Sequence, residues 1–163
     1  MEAAGTVGWL IERERVVCAD LEAVLHAERE ALETFSSDAV SRCVRRKAAL
    51  QGELVRLVER RREAVRTLAG ELGVAADDGR IVPLLEQLPN RVAAELREAI
   101  GGLRQTLLRT RRLQRVNGVL IDESLKLVGE LVRVYRQLLP GTRYDGRAVV
   151  KPGLTPMGVD ERV

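Results

Sequence analysis

Aromatic side chains are almost missing from this chain of 163 residues: Trp9, Phe35, Tyr135 and Tyr144 amount to 2% of it. Histidine occurs once, at His26, and serine only at Ser36, Ser37, Ser41 and Ser124. No His, Cys or Asp cluster has metal-ligand spacing, no serine has a base arranged beside it, and no strand precedes a glycine-rich loop. Catalysis, a metal and a cofactor are therefore not expected, and His26 reads as a solvated or boundary residue of the first helix. No apolar run approaches the roughly 18 residues needed to cross a bilayer. The opening Met1-Glu2-Ala3-Ala4-Gly5 has no basic or apolar signal region, so no secretory signal is expected. Cysteine is limited to Cys18 and Cys43. On two helices folded back near Ser36, these thiols are offset by about 16 Å at ~1.5 Å per residue, beyond disulfide reach. Two free thiols fit a reducing, cytoplasmic setting.

What is abundant is Ala, Leu, Glu and Arg, with 31% of residues charged. That composition favours long helices. The first helix is predicted from Val7 to Glu33, burying Leu10, Val17, Leu21, Val24, Leu25 and Leu32. Ser36, Ser37 or Asp38 can cap a second helix from Asp38 to Leu72, with Phe35 packed back as a staple. That helix carries a stripe of Val40, Val44, Leu50, Leu54, Leu57, Val58, Val65, Leu68 and Leu72, and Gly73 suits its C-terminal cap. Ala75 to Arg80 reads as a connector, and Ile81 to Leu88 as one or two helical turns. Trp9 is expected to staple the bundle end.

From Leu96 onward, apolar or small residues recur at three- and four-residue steps: Leu96, Ile100, Leu103, Leu107, Thr110, Leu113, Asn117, Leu120, Ser124, Val128, Leu131, Tyr135, Leu138. This 3.5-residue spacing predicts one long third helix, continuous through Gly101-Gly102 and Asn117-Gly118 and ending at Pro140-Gly141. The expected fold is all-α: an antiparallel hairpin of two long helices, a short connector helix and a long third helix, over residues 1–139. Residues 140–163 are expected to be a flexible tail with no strand of its own, either a frayed terminus or a segment that orders against a partner as an extended strand or docked peptide. Asn117, on the seam, reads either as a register-fixing amide or as a hydrogen-bonding partner for a bound segment.

Net charge is +3. Glu12 to Glu33 holds seven acids and three arginines, and Arg42 to Arg66 nine bases and three glutamates. The two helices can therefore neutralise each other, each exposed pair contributing ~0.2–1 kcal/mol. The runs Arg45-Arg46-Lys47, Arg60-Arg61-Arg62 and Arg109-x-Arg111-Arg112-x-x-Arg115 leave a second reading open, a basic helical adaptor binding nucleic acid. They lack the aromatic platforms that base readout uses.

The run from Leu113 through Asn117-Gly118 to Leu125, followed by Thr142-Arg143-Tyr144-Asp145-Gly146, resembles the C-terminal half of the FlgN-type flagellar export chaperones. Leu25 to Leu32, Arg46 to Leu50, Glu59-Arg60-Arg61 and the connector ending at Leu88-Pro89 are similar to the family's earlier segments. The resemblance implies a cytosolic, non-catalytic, helical chaperone without cofactor. Such a chaperone binds the C-terminal helices of hook–filament junction (hook-associated) proteins, prevents premature assembly and delivers them to the flagellar type III export gate. It implies substrate binding by the last part of the long helix and the tail, and docking to the gate membrane protein through Tyr144. The apolar face of Val128, Leu131, Val132, Tyr135, Leu138 and Leu139, with Asn117 and Leu120 before it, is suited to cover such helices. A monomer forming a one-to-one complex is expected.

Overall fold

The computed structural model describes residues 2–74, 80–138, 142–145 and 149–152. Helix α1 spans Glu2–Glu33, α2 Ser37–Leu72 and α3 Asn90–Leu138, with a short 3₁₀ helix, Val82–Glu86, between α2 and α3. Strands β1 (Thr142–Asp145) and β2 (Val149–Pro152) pair antiparallel, Thr142 opposite Pro152 and Asp145 opposite Val149. The all-α, three-helix architecture is as the sequence predicts. Contacts divide the chain into two compact units, Met1–Ile121 and Asp122–Val163.

The first unit is an up-down-up bundle. Its alignment follows from the pairs that join the helices. Glu14 accepts from Arg61 Nε at 2.6 Å, and Glu28 from Lys47 Nζ at 2.5 Å, so α2 runs back along α1. The acidic and basic helices thus pair as their charges predict. In α3, a methyl group at Gly8 would meet Leu96 Cδ2 at 3.3 Å, Thr110 reaches the Cys18 carbonyl, and Asn117 that of Leu25. Both numbers rise together, so α3 lies parallel to α1, and glycine at position 8 permits the close approach.

Two apolar clusters fill the interior. One joins Val7, Ile11 and Cys18 of α1 with Val65 and Leu68 of α2, the 3₁₀ residues Leu84 and Leu85, and Leu96 and Leu103 of α3. The other joins Leu10, Val17, Leu21 and Leu25 to Leu50 and Leu57, with Leu113 packed against it. Burying such side chains contributes about 1.5–3 kcal/mol each, which outweighs the weak pairs on the surface.

The ends of α1 and α2 use the same device with different residues. At Gly73 (φ 67°) the amides of Gly73 and Val74 return to the carbonyls of Gly70 and Ala69. That is the left-handed helix stop glycine favours. At the end of α1, Phe35 (φ 52°) takes the equivalent place: its amide bonds Leu32 O at 3.2 Å and the Ser36 amide bonds Ala31 O at 2.9 Å. A non-glycine residue there costs about 1–2 kcal/mol.

Several expectations are corrected. Phe35 does not staple the α2 start: the left-handed turn leaves its ring 75% exposed. Trp9 is half exposed rather than buried at the bundle end, with the Arg60 guanidinium 5.9 Å from its ring centre. Ser36 is the N-cap residue of α2 but makes no side-chain cap bond. Helix α1 starts at Glu2, because Ala3, Ala4 and Val7 are buried and continue its apolar face. Val24 and Leu32 are half-buried and Val44 exposed, since the buried stripe of α1 also takes in Ile11, Cys18 and Ala31. The strands β1 and β2 replace part of the strandless tail, where Val149 and Val150 supply β-branched residues. The connector at residues 75–79 and the tail beyond Pro152 lie outside the described residues.

Candidate functional site

Helix α3 contains two stretches that share one periodicity. From Ala93 to Asn117 its seam is buried, with Ala93, Leu96, Leu103, Thr106, Thr110 and Asn117 facing inward. The two threonines are satisfied, while Asn117 uses its donors across to α1 and leaves its buried Oδ1 without a partner among the described residues. Thr106 Oγ1 donates to Gly102 O at 3.1 Å, and Thr110 Oγ1 lies 3.0 Å from Thr106 O and 3.3 Å from Cys18 O. Asn117, 1% exposed, donates from Nδ2 to Leu25 O at 2.8 Å and to Glu28 Oε2 at 3.0 Å. Glu28 takes Lys47 on its other oxygen, so one polar chain ties α3, α1 and α2 together. It lines a cleft of about 240 Å³ with Gln51, Gln114 and Gly118.

Electrostatics in this interior are structural. Burial raises the Glu14 carboxyl above its ordinary value, partly offset by the Arg61 hydrogen bond. Burial, with the nearby Glu14 charge, pushes the Cys18 thiol up to about 11. Such a thiol is inert at neutral pH. Cys43 is half-buried, both cysteines are free, and His26 is exposed. Among the described residues, no group of three or more His, Cys, Asp or Glu side chains could hold a metal ion.

From Asp122 to Leu138 every residue of α3 except Ser124 is exposed. Val128, Leu131, Val132, Tyr135 and Leu138 fall on one face at 43–73% exposure. Leu125, Leu127 and Val134 widen that face. At about 100° per residue the apolar arc covers roughly half the helix circumference, while Asp122, Glu123, Lys126, Glu130, Arg133, Arg136 and Gln137 take the other half. A contiguous exposed apolar face of this kind marks an interaction surface.

Five predicted site residues, Val128, Leu131, Val132, Tyr135 and Leu138, are thus brought together on α3. Asn117 is not at a surface: both its donor hydrogens serve the bundle. Leu120 is half-buried in the first unit. Leu139 lies outside the described residues, and Tyr144 sits in β1 opposite Val150. Sequence reading missed Leu125, Leu127 and Val134, which lie beside the three-four seam rather than on it. Their signal is apolar character at seam-flanking positions.

The basic runs are divided by internal contacts. Lys47 and Arg61 serve buried acids, Arg62 pairs with Glu59, Arg60 covers Trp9, and Arg109 pairs with Glu22. Among the described residues, no helix is long and apolar enough to cross a membrane.

Compared with known proteins, the chain matches a family model described as FlgN protein over residues 7–150. No curated protein and no solved structure matches it.

Proposed function

Because this chain belongs to the FlgN family, non-catalytic chaperones for export of flagellar hook-associated proteins, we propose that it holds its substrate on the exposed apolar face of α3. The bound segment is the C-terminal helical end of a hook–filament junction protein. The chaperone shields that end in the cytosol and carries it to the export gate. The observation that carries this reading is the solvent exposure of Val128, Leu131, Val132, Tyr135 and Leu138 on one helix face. An amphipathic helix laid against such a face buries both partners' apolar surfaces, and its i, i+3, i+4, i+7 anchors match the spacing here.

In this reading Leu139 and Leu120 also contribute to substrate binding, while buried Asn117 acts only from inside the bundle. Residues 1–139 form the helical body and residues 140–163 the tail, where Tyr144 contacts the gate membrane protein. The chaperone is monomeric and binds one substrate.

Calorimetric titration of the purified chain with a hook–filament junction protein tests the site. Substituting Val128→Asp and Leu131→Asp together is expected to weaken binding by about 100-fold or more, with helix content unchanged. Unaltered affinity would remove this face from the mechanism. Tyr144→Ala is expected to leave binding intact and lower secretion, and normal secretion would remove the gate role.

A further inference from the structure

We propose that the exposed face of α3 takes two helices of its substrate side by side, a helical hairpin rather than a single helix; this rests on the substrate-binding reading above. The inference comes from the heptad positions, written a to g with Ile121 at a. In the exposed stretch a holds Val128 and Tyr135, d holds Leu131 and Leu138, e holds Leu125 and Val132, and g holds Leu127 and Val134. Positions b, c and f are polar throughout, apart from Gly129. Four of seven positions are therefore apolar and exposed.

The buried stretch of the same helix calibrates what that width means. There a, d and g are apolar or small apart from Gln114 at a, and e is arginine three times running, at Arg97, Arg104 and Arg111, all exposed. That three-position arc faces two helices: Ala93, Leu96, Leu103 and Leu113 belong to apolar clusters that also hold residues of α1 and α2. A seam for one partner helix needs only a and d. After Gly118, position e turns from arginine to Leu125 and Val132, and the arc becomes wider than the one two helices cover. One helix seated on a and d would leave either the e or the g flank in water.

A second copy of this chain fits less well. In a two-fold pair each α3 receives one helix, so one flank of each stays exposed. A hairpin from one substrate supplies both, with one helix on the a–d–e side and the other on the a–d–g side. Glu130, beside the g flank at position c, favours basic residues on the helix that lies there.

The test is hydrogen exchange on the complex of the full chain with a hook–filament junction protein, together with its mass. Two separate substrate segments are expected to be protected in a one-to-one complex. The variant Leu125→Arg with Val132→Arg restores the upstream arginine pattern. It is expected to release one segment and weaken binding about 10- to 100-fold. Leu127→Asp with Val134→Asp is expected to release the other. All four positions are exposed, so these changes leave the bundle folded. A single protected segment, or flank variants that bind like the parent while Leu131→Asp abolishes binding, would overturn the two-helix inference and keep the face. A complex with two copies of the chain, or protection of the chain's own residues 153–163 on this face before substrate is added, would overturn it too. If Leu131→Asp also binds normally, the substrate-binding reading itself fails.

Discussion

The two stretches of α3 have the same heptad phase and opposite chemistry. The buried one, Ala93 to Asn117, carries Thr106, Thr110 and Asn117 on its inward face; the exposed one, Asp122 to Leu138, carries Leu, Val and Tyr. The more polar seam is inside and the more apolar one is in water. On the proposed reading, the reason lies in what each stretch has to recognise. Inside the bundle the partners are fixed, so α3 can use directional bonds to single carbonyls of α1, which set register as well as affinity. The exposed stretch offers area without direction, which suits a partner that arrives and leaves.

Breaking the buried stretch is expected to have the largest effect. Leu96→Ala or Leu103→Ala should lower unfolding free energy by about 2–5 kcal/mol, whereas Val128→Ala should change it by less than about 0.5 kcal/mol. Urea unfolding measures both, and equal losses would erase the distinction between the stretches. Asn117→Ala removes the cross-helix bond to the Leu25 carbonyl and a donor from the buried Glu28 carboxylate, for a loss of about 1–3 kcal/mol. The same variant titrated with substrate shows whether Asn117 acts outside the bundle as well: unchanged affinity confines it there. Tyr135→Ala should cost about 1–3 kcal/mol in substrate binding, read by calorimetry, with no loss of stability.

Exporting the exposed pattern into the bundle sharpens the contrast further. Arg104→Leu with Arg111→Leu makes position e apolar along an exposed, charged surface. Concentration-dependent self-association is expected by sedimentation, with stability changed by at most about 0.5 kcal/mol. The last effect, confined to alkaline pH, concerns Cys18, which lies under the buried stretch. Its folded value of about 11 exceeds the unfolded value of 9.0, so the folded state resists ionisation. That stabilising difference is complete below pH 9 and is lost as pH rises through 11. Stability should therefore decline across that window, and a Cys18→Ala variant should lack this part of the decline. At pH 8 a thiol reagent should label Cys43 first and Cys18 only on unfolding.

Much of this was legible because helices write their partners into their spacing. The limits of α2 and α3, the turn near Ser36, the Gly73 stop and the charge pairing of α1 with α2 all follow from local pattern. Asn117 was legible as an exceptional residue but not as a buried one, because a seam amide looks the same whether it meets its own bundle or a guest. The contact with Glu28 that decides it spans 89 residues. The strands were overlooked although Asp145-Gly146 lies between Tyr144 and Val149-Val150, a pairing of turn and β-branched residues that favours a hairpin. The prolines and glycines around it masked the signal. Phe35 was misjudged because a hydrophobic residue before a cap usually packs inward, and only the left-handed backbone turns it out.

The parallel alignment of α1 and α3 also has a kinetic meaning. Neighbours that run the same way cannot be joined by a tight turn, so the chain must complete α2 before α3 can dock. The α1–α2 hairpin closes over a few residues, but the bond from Asn117 to Leu25 joins positions 92 apart. Closing the longer loop adds roughly (3/2)RT times the logarithm of the length ratio to the entropic barrier. Docking of α3 is therefore expected to be the slower event in forming the bundle, with substitutions at Leu96, Thr110 and Asn117 accelerating unfolding more than they retard folding in stopped-flow measurements. On the ribosome, the exposed apolar segment of α3 emerges only after α1, α2 and the first half of α3 have been made.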